Sequence, residues 1–164
     1  LRITVKGLGD YTNIIDEKLT VGDQAWVEGP YGHFSSKYVK EHDQVWIAGG
    51  IGITPFLSLA RDLHTNNIKL FWCVNNENEA VYKDELEQIA KDNSNFECVI
   101  WSSKMAGYLT AEKLGLDSYK DKAYLICGPN SLKDNLTKQL KQNYIVLKRS
   151  YYTLNFLSYL VIWI

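Results

Sequence analysis

The sequence has little of what marks the specialised protein classes. Its 164 residues carry 18 Lys and Arg against 19 Asp and Glu, a net charge of −1, and no basic run exceeds the pair Lys148-Arg149. Chains that bind nucleic acid gather positive charge on one face or tail, so no nucleic-acid partner is expected. The three cysteines, Cys73, Cys98 and Cys127, include no CxxC spacing. Zinc ribbons and clustered iron–sulfur ligation are therefore unsupported, and no metal site is expected. An odd number of thiols in apolar settings predicts reduced, buried cysteines and an intracellular chain. The histidines, His33, His42 and His64, are scattered rather than clustered. No signal peptide is visible. The uncharged tail Tyr151–Ile164 falls short of the roughly 20 apolar residues that a transmembrane helix needs.

What is present is ordinary for a globular domain. Apolar residues make up 46% and charged residues 23%, which excludes disordered and collagen-like chains. The length suits one domain and is too small for two full ones. The chain opens on Leu1 within an alternating apolar stretch, which predicts a segment taken from inside a longer protein.

Residues 1–34 read as β-structure. Leu1, Ile3 and Val5 alternate with Arg2, Thr4 and Lys6; Val21-Gly22-Asp23 reads as a turn; Ala25–Glu28 reads as another strand, ended by Gly29-Pro30-Tyr31-Gly32. Residues 35–43 are polar and read as a linker. From Gln44 the rhythm changes. Four short apolar runs, Val45–Ala48, Ile68–Val74, Phe96–Trp101 and Ala123–Cys127, alternate with amphipathic stretches around Phe56–Leu63, Glu79–Lys91 and Ser131–Gln142. Uninterrupted apolar strands alternating with such helices predict an α/β fold, a parallel sheet covered on both faces. The tail reads as a final strand, as a membrane or partner contact, or as a segment foreign to the parent fold.

Three stretches offer chemistry. The first, VWIAGGIGITPFLSLARDL (45–63), runs from a buried strand through Gly49, Gly50 and Gly52 to Thr54-Pro55 and a helix. Glycines admit tight turns and close approach of a ligand to peptide N–H groups. Pro55 suits the first helical position and Thr54 the N-cap. A helix N-terminus favours a pyrophosphate. The same residues also serve a plain strand-to-helix turn. The second stretch, Cys127-Gly128-Pro129, follows another strand and reads either as a crevice shared with Gly49–Thr54 or as a buried core cysteine. The third, KGLGDYT (6–12), reads as a phosphate-holding loop or as a β-turn.

Taken together, GPYGHF (29–34), GGIGITPF (49–56) and CGP (127–129) resemble the ferredoxin–NADP reductase superfamily. The likeness is closest to the FAD- and NAD(P)H-binding part of bacterial ferric-reductase-like, NADPH-oxidase-like proteins. It implies a Rossmann-like nicotinamide-nucleotide domain over 44–145, preceded over 1–34 by the last strands of an antiparallel FAD-binding barrel, with 35–43 as linker and 146–164 as a divergent apolar tail. It implies that Gly9 and Thr12, with Lys6 beside them, contact the FAD pyrophosphate. Gly49, Gly50, Gly52 and Thr54 would hold the nicotinamide nucleotide. Cys127, Gly128 and Pro129 would stand beside the nicotinamide, with the Cys127 thiol helping to position the hydride donor. Ser103 and Lys104 would hold a 2′-phosphate and so favour NADPH over NADH. His33 would lie near the cofactor crevice and His64 at a solvated helix end. The family's flavin-ring motif is absent, and Phe156 stands where relatives place a C-terminal aromatic.

The function implied is that of an NAD(P)H-dependent flavin oxidoreductase, hydride passing to FAD and electrons onward. The acceptor would be a ferric chelate, a haem-bearing membrane domain or a redox protein. The location would be cytoplasmic or on the cytoplasmic side of a membrane. Alternatives are the reductase component of an oxygenase or dehydrogenase, and a nucleotide-binding module inactive alone.

Overall fold

The structure is a computed structural model that describes residues 2–28, 34, 39, 41–63, 66–115, 122–143, 151–154 and 160–163. The readings placed on Gly29–His33, His64, Phe156 and most of the 35–43 linker lie outside the described residues.

The four apolar runs are strands: β2 (Asp43–Gly49), β3 (Asn67–Val74), β4 (Phe96–Ser102) and β5 (Lys122–Cys127). With β6 (Tyr151–Leu154) they form one sheet in the order β4-β3-β2-β5-β6, every pair parallel. Parallel strands need crossovers, and helices supply them. α2 (Thr54–Ala60) follows β2, α3 (Lys83–Asp92) precedes β4, and α5 (Asn130–Asn143) follows β5; α4 (Ser103–Ala106) is a single turn after β4.

Both faces of the sheet are covered at its centre, which is why the middle strands are mostly apolar. Trp46, Ala48, Leu70, Trp72 and Leu125 point to one face and bury with Phe56 and Leu57 of α2 and Leu86 of α3. Val45, Ile47, Phe71, Tyr124 and Ile126 point to the other, with Leu136 and Leu140 of α5. Buried Gln44 is satisfied: its Oε1 accepts from Trp46 Nε1 at 2.9 Å and its Nε2 donates to the Glu41 carbonyl at 3.3 Å. At the amino edge, Asp43 accepts from Asn67 Nδ2 at 2.9 Å and pairs with Lys122 at 3.3 Å, tying the starts of β2, β3 and β5 together.

The amino-terminal part departs from an all-β reading. β1 (Arg2–Val5) forms, and the turn at Val21–Asp23 forms, with Gly22 at φ 103° and the Asp23 N–H on the Thr20 carbonyl. Between them, however, lies α1 (Ile15–Lys18), with Asp16 and Glu17 at its positive end and Lys18 at its negative end. Ala25–Glu28 is not a strand, and Trp26 is 97% exposed. A strand persists only against a partner edge, and none of the described strands offers one to these residues. β1 alternates in sequence but buries no face, Ile3 being 43% exposed. Its partner is β7 (Leu160–Trp163), antiparallel, with Arg2 opposite Trp163. Further strands of a barrel are not among the described residues. In the tail, β6 lengthens the parallel sheet and β7 returns to β1. No helix among the described residues is long and apolar enough to cross a membrane.

β1 is tied to the sheet's helical layer through Glu85 and Tyr82. Glu85 of α3 accepts from Arg2 at 2.8 Å and from Arg61 Nε at 3.1 Å. The Arg2 guanidinium also lies 5.0 Å from the Tyr82 ring centroid, and Thr4 Oγ1 meets the Tyr82 hydroxyl at 2.6 Å. Burial works against ionisation of Glu85, but the hydrogen bonds from Arg61 and then Arg2, with their charges, hold its carboxyl below the ordinary glutamate value. A depressed folded-state pKa contributes stability above the unfolded value, and that stability is lost as pH falls through the folded one. Glu85→Gln is therefore expected to lower the urea midpoint at pH 7. The difference from the parent should close as the pH is taken below the ordinary glutamate pKa; a pH-independent difference would mean that the ion pairs contribute nothing.

Candidate functional site

Strand order reverses between β2 and β5. The chain leaves β2 for one side of the sheet and β5 for the other, so a crevice opens at their carboxyl ends. A cleft of about 660 Å³ lies there. Gly49, Gly50 and Pro129 form its floor, and Cys73, Val74 and Asn75 come from the end of β3. Ser103, Tyr108, Leu109 and Thr110 form one wall; Leu132, Asn135 and Gln139 of α5 form another. Lys6 and Glu79 stand at the mouth, Nζ to carboxylate 3.9 Å.

The glycines do two different jobs. A Cβ on Gly49 would stand 2.7 Å from Pro129 Cδ and 2.8 Å from Leu132 Cδ2; one on Gly128 would stand 3.0 Å from the Gly49 Cα and N. A Cβ on Gly52 would fall on the Cys127 carbonyl. These three let two main-chain turns touch. Gly50 differs: its φ is +53°, and a Cβ there would meet only the flexible end of Lys6, Nζ at 3.9 Å. The Gly50 carbonyl accepts from Trp72 Nε1 at 2.9 Å, which fixes the orientation of that peptide.

Thr54 is not the N-cap. A 3-10 turn over Gly50–Ile53 already carries helical dihedrals, Ile53 at φ −67° and ψ −28°, so Thr54 falls inside α2. Its Oγ1 donates to the Ile51 carbonyl at 3.3 Å and the residue is buried. Of the CGP segment, Pro129 reaches the cleft, while Cys127 is fully buried among the Trp46, Phe56 and Leu125 side chains. Burial pushes the Cys127 thiol up, slightly opposed by Lys133, and pushes Cys73 up to about 12. Neither is a thiolate at neutral pH. Ser103 lines the cleft. Lys104, on the same turn, is exposed and donates its backbone N–H to the Asn75 carbonyl at 3.0 Å.

Gly9 and Thr12 lie apart from this cleft. Thr12 Oγ1 accepts from the Leu8 and Gly9 N–H groups at 3.0 Å each, so the loop closes on its own hydroxyl. Beside Gly9, nothing lies within 4 Å of a Cβ position. Lys6, read with that loop in the sequence, instead faces Gly50. Residues that sequence reasoning did not single out are Cys73, Asn75, Glu79, Tyr108–Thr110, Asn135 and Gln139. The rule that ligands sit beyond strand carboxyl ends points to Asn75 after β3. The Tyr108–Thr110 stretch has no periodicity that would mark it.

The family model described as "Oxidoreductase NAD-binding domain" matches residues 46–138. Over 166 aligned residues the chain is 28% identical to the phenol hydroxylase P5 protein of Acinetobacter pittii, covering 92% of this chain and 46% of that protein. It is 38% identical over 68 residues to ferric reduction oxidase 2 of Arabidopsis thaliana, 38% of this chain and 9% of that one. The chain thus spans less than half the length of either curated relative. The FAD/NAD-binding domain of the nitric oxide dioxygenase of Vibrio cholerae shares the fold, with TM-score 0.76 and 22% identity over 90% of this chain and 65% of that one.

The glycine roles are separable by stability. Gly52→Ala is expected to cost about 1–3 kcal/mol in urea unfolding, since main chain must move. Gly9→Ala, facing open space, should stay within about 0.5 kcal/mol. Equal losses at the two positions would refute the main-chain contact.

Proposed function

The chain belongs to the oxidoreductase NAD-binding domain family, within the ferredoxin reductase-like superfamily, and we propose that its cleft binds a reduced nicotinamide nucleotide and orients it for hydride transfer to FAD. The observation that carries this reading is the Gly49–Gly50 floor at the β2/β5 switch point, with a cation, Lys6, above it. A pyrophosphate fits that arrangement. The main chain at Gly50 is open to close approach, and the Lys6 ammonium exchanges its Glu79 partner for phosphate oxygens, a charge-assisted contact. Pro129 and the turn after β5 then stand against the nicotinamide end. Cys127 acts here through its main chain, which seats Gly52, and not as a nucleophile.

The second half of the nucleotide lies along the Ser103–Thr110 wall. The Ser103 hydroxyl and the Lys104 ammonium are adjacent on α4 and suit a 2′-phosphate, which makes NADPH the preferred donor over NADH. The bound cofactors supply the redox chemistry, the nicotinamide giving a hydride that FAD accepts. On this chain, the fit to FAD rests on the open main chain at Gly9; the Thr12 hydroxyl is already used by its own loop. Electrons then pass to an acceptor of the ferric-chelate or haem type. A redox-protein acceptor, as in an oxygenase reductase, is the second reading, favoured by the likeness to the phenol hydroxylase P5 protein over 92% of the chain.

Calorimetric titration of the chain with NADPH and NADH tests the proposal. Saturable binding of both is expected, tighter for NADPH. Lys6→Ala should weaken both by about tenfold, the loss of one charge-assisted contact. Lys104→Ala should weaken NADPH alone. No binding of either nucleotide would sink the reading, and equal weakening of both by Lys104→Ala would remove the 2′-phosphate assignment.

A further inference from the structure

One wall of the cleft is not built from the sheet. After β4 the chain makes the single turn α4, reverses at Gly107 (φ +69°), and runs through Tyr108, Leu109 and Thr110 along the cleft. Tyr108 is 84% exposed there. No strand pairs with residues 103–110 among the described residues; the Ser103 carbonyl takes the Gly107 N–H, and the Ala106, Gly107 and Tyr108 carbonyls have side-chain partners. Two side chains supply them. Lys113 Nζ donates to the Ala106 carbonyl at 2.8 Å and to the Tyr108 carbonyl at 3.1 Å. Trp101 Nε1 donates to the Gly107 carbonyl between them at 2.8 Å. The Lys113 ammonium also lies 5.7 Å from the Trp101 ring centroid, so the two donors hold each other in place.

Lys113 is itself well anchored. It sits on a 3-10 turn, Glu112–Leu114, whose Leu114 is buried in the core beside Ala111. The Ala111 N–H donates to Gln139 Oε1 of α5 at 2.9 Å. A turn whose Ala111 N–H is fixed to α5 thus carries an ammonium that grips a segment with no ladder of its own. Neither donation goes to a side chain, so what Lys113 sets is the path of the main chain.

We propose that Lys113 is a positioning residue for nucleotide recognition, its ammonium stapling the Ser103–Thr110 wall into the shape that receives the nucleotide. It touches no reacting atom. The inference rests on the nucleotide-binding reading above for its ligand, but the staple is a property of the chain alone. Removing the ammonium frees two carbonyls, lets the Gly107 reversal open, and displaces Ser103, Tyr108 and Thr110 together. Arginine, with several donors and a planar group suited to Trp101, replaces it; methionine keeps the stem and loses the donors.

The test compares Lys113→Met and Lys113→Arg in the whole chain by nucleotide titration and by amide hydrogen exchange without nucleotide. Lys113→Met is expected to weaken NADPH and NADH roughly five- to tenfold, as for loss of charged hydrogen bonds at a solvent-facing site. It should speed exchange at the 107–110 amides while β2 and β3 keep their protection. Lys113→Arg should restore both. Unchanged exchange at 107–110 in Lys113→Met overturns the staple. Parent-like nucleotide affinity in that variant overturns its role in recognition. If parent and variants alike bind neither nucleotide, the functional reading falls, and with it the role in recognition, while the exchange result still decides the staple.

Discussion

The site depends on one main-chain contact, the approach of the turn after β2 to the turn after β5. Gly49 lies on Gly128 and Gly52 on the Cys127 carbonyl, with no side chain between. Two adjacent parallel strands ordinarily end in turns that side chains keep apart. Here the absence of three Cβ atoms lets the turns meet, and Gly49, Gly50 and Pro129 face the cleft. Cys127, Gly128 and Pro129 therefore act as one piece with Gly49–Gly52. Cys127 joins that piece to the sheet: it ends β5 opposite Ala48 of β2 and buries its side chain in the Trp46 cluster.

Around this floor, segments outside the sheet are held by single polar side chains. Trp72 orients the Gly50 peptide, Glu85 gathers Arg2 and Arg61, and Trp101 with Lys113 secures the wall after α4. The hydrophobic core decides where strands and helices lie, since both faces of the sheet must be covered. It leaves the connecting segments undetermined. Their geometry is set by hydrogen bonds to side chains that stand on anchored elements, as donors in Trp72, Trp101 and Lys113 and as an acceptor in Glu85, an arrangement that gives loops a defined shape without burying them.

That division explains how much was legible in the sequence. The runs at 45–48, 68–74, 96–101 and 123–127 emerge as β2–β5 within two residues at either end, because strands buried on both faces have no other composition. The glycine turn and CGP come together because both end such strands. Thr54 stands one residue past the N-cap it is read as: a 3-10 segment extends the helical path backwards, and no residue type announces it. Ala25–Glu28 has strand composition but lacks a partner edge among the described strands, and pairing is not a local property. Tyr108–Thr110 carries no pattern, since its shape is imposed by Trp101 and Lys113 from elsewhere in the chain. Lys6 belongs by sequence to one loop and by space to another site, a separation that only the docking of β1 beside α3 reveals.

The pairing of β1 with β7 joins opposite ends of the chain. Loop closure over so long an intervening stretch is entropically costly until that stretch is itself ordered. The β2–β3–β4 crossovers are local by comparison. Lys6 follows β1, so its place depends on contacts made far along the chain, with Tyr82 and Glu85 and with β7. The mouth of the cleft is thus held by the least local contacts of the structure, and its floor by two neighbouring strands.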